Sequence, residues 1–250
     1  MNMLCDLVEY QVLGTGLPSV IFINGFRMPY SSWDQVYPEI ADTCQVLLYN
    51  RPSVGTSAET LQNQHGMQII EDLHALCGEL ALPMPCVLVA HSLGGIFAQL
   101  FARHYPDAVA GAVFVDAAHP DEIAQHRKHR APVLLHALNQ GLKSLEKWFD
   151  PFKYSEDESL DLTLQQLEAA GSFPDIPIRV ITGTQKLPLV PMASFALHCR
   201  YQHELVSLST RSKQIQCTQS AHFPQLSESD KVTQAILDII ALSKGDATGT

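Results

Sequence analysis

The sequence predicts a protein of the α/β class, with a mostly parallel central sheet flanked by helices. Short apolar runs alternate along the chain with longer segments whose apolar residues follow helical spacing. The runs are continuously apolar, which is typical of strands buried on both faces. Conspicuous polar residues follow them, at the strand ends where ligands collect in such sheets. The alternation predicts right-handed crossovers between parallel strands, and we expect a single domain over residues 1–250.

The strands and helices can be assigned in order from these patterns. The apolar runs predict strands at 7–13 (an edge strand), 20–23, 45–49, 87–90, 112–115, 177–183 and 214–217. Helical spacing predicts helices at 31–40, 67–82, 96–105, 193–208 and 231–242. Prolines at 83 and 106 follow two of these helices, and proline cannot extend a helix.

Residues 121–175 break this rhythm. They are helical in pattern, richer in charge, and carry the aromatic residues Trp148, Phe149, Phe152 and Tyr154. We interpret the stretch as a helical insertion within the single domain. We expect the cluster of Trp148, Phe149 and Phe152 to form insertion core, because large apolar side chains are mostly buried, with a substrate cage as the alternative.

Composition excludes several classes of protein. With 46% hydrophobic and 17% charged residues, the chain can bury a sizeable core. A formal net charge of −10 argues against nucleic acid or an anionic membrane as the main partner. No segment approaches the roughly 18 apolar residues of a membrane span. The oligomeric state is not determined by the sequence.

The cysteines and the first residues indicate a compartment. Six cysteines are spread along the chain without a C-x-x-C pair, a pattern that suits a reducing environment better than a disulfide framework. The first residues lack a basic start and an apolar run of signal length. We therefore expect a cytoplasmic protein.

The most informative stretch is Val87–Gly95, in which a predicted strand meets a serine and then a predicted helix. Strand, sharp turn with serine and helix is the geometry of a nucleophile elbow. Ser92 must stand on a strained backbone clear of the sheet, so its neighbours two residues away must be small. Ala90 and Gly94 meet that requirement. The sequence therefore predicts Ser92 as a nucleophile.

A serine hydroxyl needs a base to take its proton. His222 is the best candidate among eleven histidines, because it lies in a late loop directly after a predicted strand. It is also the last histidine of the chain, as expected where the order is serine, acid, histidine.

The histidine needs an acid to fix its tautomer. Asp116 ends the strand 112–115 and is followed by two alanines that leave space around it. A helix cap or turn is the alternative role for this aspartate. Asp121, Asp175 and Glu204 are weaker candidates for the acid.

An acyl-transfer intermediate needs two backbone N–H donors for its oxyanion. One is expected from Leu93, directly after the nucleophile. The other is expected from Phe26, where Gly25 lets the backbone approach closely. We expect Asn24, Gly25, His91 and Trp148 to contact the substrate.

Other chemistries have less support. Neither a G-x-G-x-x-G nor a Walker motif occurs, so no nucleotide site is indicated. His126 and His129 lie beside Arg127, Lys128 and Arg130, a pattern of a solvated helix face rather than of a metal site. No metal and no organic cofactor are expected.

Together, these motifs resemble those of the α/β-hydrolase fold superfamily over residues 20–240. Residues 24–26 resemble its His-Gly oxyanion motif with asparagine in place of histidine, and 51–57 resemble its Arg-Pro-Gly-x-Gly-x-Ser loop. Residues 90–95 are similar to its usual elbow, with alanine in place of the first glycine, and 220–223 to its terminal Ser-Gly-His loop. The resemblance implies the α/β-hydrolase fold, with residues 121–175 as the helical lid.

The chain also departs from the pattern of the superfamily. The commonest acid position, after the strand that ends at Gly183, holds no carboxylate. Some members, including dehalogenase-like ones, carry the acid one strand earlier, at a spacing similar to that between Ser92 and Asp116. Those dehalogenases and epoxide hydrolases use an aspartate nucleophile, so the serine argues against their chemistry.

The sequence thus predicts a serine hydrolase that cleaves a carboxylic ester, lactone or thioester of a small molecule through an acyl-enzyme on Ser92. C–C bond hydrolysis or cofactor-free lyase chemistry on the same residues is an alternative. A non-catalytic ligand receptor or interaction protein is another, favoured by Asn24 and by the empty acid position. Fold alone does not choose among them.

Overall fold

The computed structural model describes residues 3–60, 62–128, 152 and 154–248. Strands in these residues form one seven-stranded sheet in the order β1-β3-β2-β4-β5-β6-β7. The strands are β1 (Tyr10–Leu13), β2 (Val20–Ile23), β3 (Val46–Tyr49), β4 (Cys86–His91), β5 (Val109–Val115), β6 (Ile178–Gly183) and β7 (Ser212–Cys217). All neighbours pair in parallel except the edge strand β1, which runs antiparallel to β3. The predicted α/β class, with its mostly parallel sheet, is confirmed.

Helices connect the strands and cover both faces of the sheet. In the described residues they are α1 (Tyr37–Ala41), α2 (Gly66–Glu79), α3 (Gly94–His104), α4 (Pro120–Lys128), α5 (Ser155–Glu158), α6 (Leu160–Ala169), α7 (Met192–Leu205), α8 (Pro224–Ser227) and α9 (Ser229–Thr248). No helix in this part of the chain is long and apolar enough to cross a membrane.

The core lies in two layers, one on each face of the sheet. Successive side chains of a strand point to opposite faces, and β2 shows this directly. Ile21 and Ile23 pack with α2 and α3, whereas Val20 and Phe22 pack with α1 and α9 on the other face. All four β2 side chains are fully buried. Continuous apolar character was therefore the correct signal for a strand covered on both faces.

The helix expected at 31–40 is divided in two. A 3₁₀ turn covers Tyr30–Trp33, and α1 begins only at Tyr37. Pro38 explains the break, because a proline inside a helix lacks the N–H and clashes with the preceding turn. In the first turn of a new helix, where Pro38 lies, that N–H is not needed.

The described ends of the stretch 121–175 are helical, as its pattern predicts. They form most of α4 and all of α5 and α6. The middle of the stretch lies outside the described residues. Its role as a lid therefore stays a prediction.

Candidate active site

Ser92 lies on a sharp turn between β4 and α3. Its φ angle is +51°, a left-handed conformation that non-glycine residues adopt rarely and mostly under local constraint. The turn is held from both sides, because the Ser92 N–H donates to the Val115 carbonyl at 3.3 Å and the Ser92 carbonyl accepts from the Ala118 N–H at 2.9 Å. The backbone thus has the strained conformation that a nucleophile elbow requires.

Gly94 allows this turn to pack against the end of β2. A Cβ built on Gly94 would lie 2.7 Å from the carbonyl oxygen of Asn24 and closer still to that of Ile23. Both neighbours are backbone atoms, which cannot move aside as a flexible side chain can. The absence of a side chain at 94 therefore sets how closely the elbow approaches the loop after β2.

Replacing Gly94 with alanine is expected to lower the free energy of unfolding by about 2 kcal/mol, because the added methyl overpacks this contact. Calorimetry should show the unfolding midpoint falling by about 5 °C in a chain of this size. Gly78→Ala is the matched control, since nothing lies within 4 Å of its Cβ position. Equal midpoints for the two variants would contradict the packing role of Gly94.

Ser92, His222 and Asp116 form a continuous hydrogen-bonded chain. The Asp116 Oδ2 atom lies 2.8 Å from His222 Nδ1, and His222 Nε2 lies 3.0 Å from Ser92 Oγ. A carboxylate only accepts hydrogen bonds, so Nδ1 carries the hydrogen and Nε2 is left to accept from the serine hydroxyl. The three residues that the sequence selected are brought together in the order that nucleophilic catalysis needs.

Asp116 is buried and held by several donors. It follows β5 with a φ angle of +42°, a conformation that aspartate tolerates better than most residues. Its Oδ1 atom accepts from the Gly183 N–H at 2.9 Å and lies 3.2 Å from His198 Nε2. Burial raises the pKa of this carboxyl, but the hydrogen bonds from His198 and His222 outweigh it and lower the pKa to about 2. Asp116 is therefore ionised throughout the physiological range.

Sequence patterns did not point to His198 or Glu122 as residues of the site. His198 lies on α7, and its Nδ1 atom is 2.9 Å from Oε1 of Glu122 on α4. The ring therefore lies between two carboxylates, those of Asp116 and Glu122. Neither residue belongs to a motif, and only the packing of α4 against α7 brings them to the site.

A cavity of about 370 Å³ opens beside Ser92 and His222. Its walls are mostly apolar, and its few polar groups converge near the serine, as is usual for small-molecule sites. The lining residues come from the elbow at Ser92, the loop after β5, helix α4, the end of β6 and the loop after it, helix α7, and the loop after β7. The lining residues other than the hydrogen-bonded chain are Ala118, Glu122, Ile123, Gly183, Gln185, Leu187, Val190, Ser194, Phe195, His198 and Ala221.

Asn24 and His91, expected to contact substrate, have structural partners instead. The Asn24 side chain is buried, accepts from the Trp33 indole at 2.8 Å and donates to the Tyr49 carbonyl at 2.9 Å. His91 is buried too, and its Nε2 donates to the His222 carbonyl at 2.8 Å. Burial and the neighbouring His222 lower the pKa of His91 to about 4. Neither side chain lines the cavity, so both expectations are corrected: these residues hold loops of the site.

Gly25 lies beside the nucleophile, as its expected role requires. A Cβ at this position would be 3.2 Å from Ser92 Cβ and 3.0 Å from His91 Nδ1. The loop that carries the Phe26 amide therefore approaches the serine closely, and Leu93 directly precedes the first turn of α3. The oxyanion roles of these two amides stay predictions. Trp148 lies outside the described residues.

Arg51 joins this loop to helix α5. Its guanidinium donates to the carbonyls of Asn24 and Gly25, both at 2.8 Å, and to the two carboxylate oxygens of Glu156 at 2.6 and 3.0 Å. It also lies over the Phe97 ring at 5.1 Å. The loop after β2 and the stretch 121–175 are thus connected through one buried cation.

The weaker acid candidates lie elsewhere. Asp175 accepts from the Thr210 side chain at 2.8 Å, and Glu204 pairs with Arg200 at 3.1 Å on α7. Asp121 is exposed in the first turn of α4. Of the acid candidates, Asp116 is the one in contact with His222.

Among the described residues, one group of side chains has the spacing of possible metal ligands. His119, Asp121 and Glu204 place possible ligand atoms within 4.8 Å of one another. Glu204 is already paired with Arg200, and His119 Nδ1 accepts from the Asp121 N–H at 3.2 Å. These partners compete with a metal, so we assign none. The side chain of His126 and all of His129 lie outside the described residues.

Comparison with known proteins identifies the family. Residues 20–235 match the model of the alpha/beta hydrolase family. The chain therefore belongs to the alpha/beta hydrolase family, and its relatives support a hydrolase.

Individual relatives are distant. A pimeloyl-[acyl-carrier protein] methyl ester esterase from Sodalis glossinidius is 28% identical over 106 residues, which are 42% of this chain and 39% of that protein. An uncharacterised protein of Schizosaccharomyces pombe is 34% identical over 86 residues, 34% of this chain and only 16% of its own length. The crystal structure of a thermophilic esterase from Thermogutta terrifontis superposes with a TM-score of 0.62 at 19% identity, covering 94% of this chain and 93% of that one. At this identity the structural likeness shows the fold alone.

Proposed function

We propose that this hydrolase cleaves a carboxylic ester, lactone or thioester by way of an acyl-enzyme on Ser92. The observation that carries the proposal is the hydrogen-bonded chain from Asp116 through His222 to Ser92, with links of 2.8 and 3.0 Å. These are the roles of acid, base and nucleophile in serine hydrolases, recognised by geometry. The esterase among the relatives is consistent with it.

The proposed reaction proceeds in two halves. Ser92 Oγ attacks the carbonyl carbon while His222 Nε2 takes its proton, and the Phe26 and Leu93 amides stabilise the oxyanion. His222 then gives the proton to the leaving alcohol or thiol. Water attacks the acyl-enzyme with His222 again as base, and Ser92 is restored. Asp116 holds the His222 tautomer and stabilises its charged form.

The cavity supports a substrate that is uncharged and partly apolar. A volume of about 370 Å³ with mostly apolar walls offers room for an acyl or alcohol chain. Each methylene buried there should contribute about 0.8 kcal/mol, equivalent to about fourfold in kcat/KM. The rate should therefore rise with chain length until the cavity is filled and then fall.

Hydrolysis of p-nitrophenyl esters from acetate to hexadecanoate tests this proposal. Ser92→Ala should lose about a thousandfold or more in kcat, whereas Ser207→Ala, at an exposed serine, should keep wild-type rates. A fluorophosphonate probe should label the wild type and map to Ser92. A protein that neither hydrolyses the esters nor takes the label would contradict the proposal and favour a non-catalytic binding protein. Labelling without ester turnover would favour C–C cleavage or lyase chemistry.

A further inference from the structure

In the site, two histidines lie within hydrogen-bond distance of one carboxylate, that of Asp116. His222 approaches Oδ2 of Asp116, and His198 approaches Oδ1, with 3.2 Å between His198 Nε2 and that oxygen. The second ring nitrogen of His198 lies 2.9 Å from Glu122 Oε1. Both nitrogens of His198 therefore face carboxylate oxygens.

This geometry defines the charge of His198. A neutral imidazole carries one N–H, and a carboxylate oxygen can only accept. Two hydrogen bonds to carboxylates therefore require N–H on both nitrogens, which is the imidazolium. Burial lowers the pKa of His198, but the hydrogen bonds and charges of Asp116 and Glu122 outweigh it and raise the pKa to about 10.

The titratable groups around the two rings are few and come from separate elements. Asp116 at the end of β5 and Glu122 on α4 face His198, and Cys199 is its neighbour on α7. Around His222 lie Asp116, Ser92 and the buried His91. Burial is the main cause that lowers the pKa of His91 to about 4, so His91 is neutral near pH 7. Among the described residues, the charged groups that these contacts place near the Ser92–His222 pair at neutral pH are thus two carboxylates and the cation of His198.

We propose that His198 is a positioning residue whose positive charge offsets the negative charge of Asp116 and so makes it easier for His222 to remain the base that accepts the Ser92 proton. The ionised aspartate favours a proton on His222, and a cation on its other oxygen opposes this. Glu122 takes no part in that step. It accepts from the second N–H of His198 and orients the ring, a role that the carbonyl oxygen of a glutamine can also fill. The inference rests on the proposed function only for its kinetic test.

Two variants separate this charge effect from simple packing. In His198→Gln an amide can still donate to Asp116, but the cation is lost. The acid limb of the kcat/KM profile, which reports the free enzyme, should then move to higher pH by about one unit. In Glu122→Gln a negative charge is lost instead, so the limb should stay in place or move to lower pH. His203→Gln is the control, because His203 is exposed on the same helix and pairs with Gln214.

The titration of His222 is also measured directly, by NMR on the protein labelled with ¹⁵N in its histidine rings. The midpoint should be about one pH unit higher in His198→Gln than in wild type, whether or not the protein hydrolyses a test ester. Wild-type turnover with identical midpoints in both proteins would overturn the role of His198 and leave the proposed function intact. A shifted midpoint without ester turnover would support the role of His198 and overturn the proposed function. A shift to higher pH in Glu122→Gln as large as that in His198→Gln would show that any disturbance of the pair has the same effect, and would also overturn the proposal.

Discussion

Replacing Asp116 with asparagine is expected to lower kcat for ester hydrolysis by about ten thousandfold while the protein stays folded. Asparagine has nearly the shape of aspartate and tolerates the left-handed backbone at this position, where φ is +42°. The loss would therefore come from the chemistry of the amide rather than from unfolding.

The direction of the amide follows from its neighbours. Two donors, the Gly183 N–H and His198, point at Oδ1, and one, His222, points at Oδ2. Asparagine has one oxygen, which satisfies more donors on the Oδ1 side, so its NH₂ group faces His222. The Nδ1 atom of His222 must then accept, and Nε2 carries the hydrogen. A protonated Nε2 cannot take the proton of Ser92.

The control variants are the other carboxylates that the sequence offered. Asp121→Asn, Asp175→Asn and Glu204→Gln should keep kcat within about threefold of wild type, because these side chains have partners or positions outside the hydrogen-bonded chain. Steady-state kinetics and a circular dichroism spectrum of each variant complete the comparison. Full activity in Asp116→Asn would refute its role as the acid.

Replacing Glu156 with glutamine is expected to lower the free energy of unfolding by about 3 kcal/mol, because it breaks a buried ion pair. The side chains of Arg51 and Glu156 are 3% and 8% exposed. Removing the carboxylate leaves the guanidinium buried with carbonyl acceptors but no counter-charge, and an uncompensated buried charge is costly. Urea unfolding followed by circular dichroism measures the change.

Glu204→Gln is the matched control for this experiment as well. It removes a carboxylate from the Arg200–Glu204 pair, whose side chains are 58% and 42% exposed. Water screens such a pair, so the loss should stay below about 1 kcal/mol. An equal loss in the free energy of unfolding for both variants would show that burial does not strengthen the contribution of the Arg51–Glu156 pair to stability.

The sequence was sufficient for the sheet because its signal is local. The strand predicted at 20–23 agrees with β2 in both bounds, since four consecutive apolar residues between turn residues leave little choice. The helix at 31–40 was predicted wrongly as one piece, because apolar spacing continues across Pro38 although the backbone cannot. Predicting this helix boundary required attention to the single residue Pro38 rather than to the apolar spacing of the whole segment.

The site was predictable where its chemistry lies at strand ends. Ser92, Asp116 and His222 each follow a strand, and parallel strands bring such ends to one edge. His198 faces the site from α7 and Glu122 from the first turn of α4. Which face of a helix meets a neighbour depends on packing that no local pattern encodes. Asn24 looked like a binding residue because it is polar at a strand end. Its indole and carbonyl partners are distant in sequence and give no local sign.

The position of Asp116, the proposed acid, after β5 leaves the loop after β6 free for another purpose. Gly183, the last residue of β6, donates its N–H to Asp116. In the loop itself, the Gln185 side chain donates to the Thr218 carbonyl at 2.6 Å, whereas the side chains of Leu187 and Val190 line the cavity. A protein engineer can therefore randomise positions 187 and 190 to select for new substrates without altering the proposed proton path from Ser92 to His222. Lys186 should be kept, because its ammonium group donates to three carbonyls of the same loop and holds its shape.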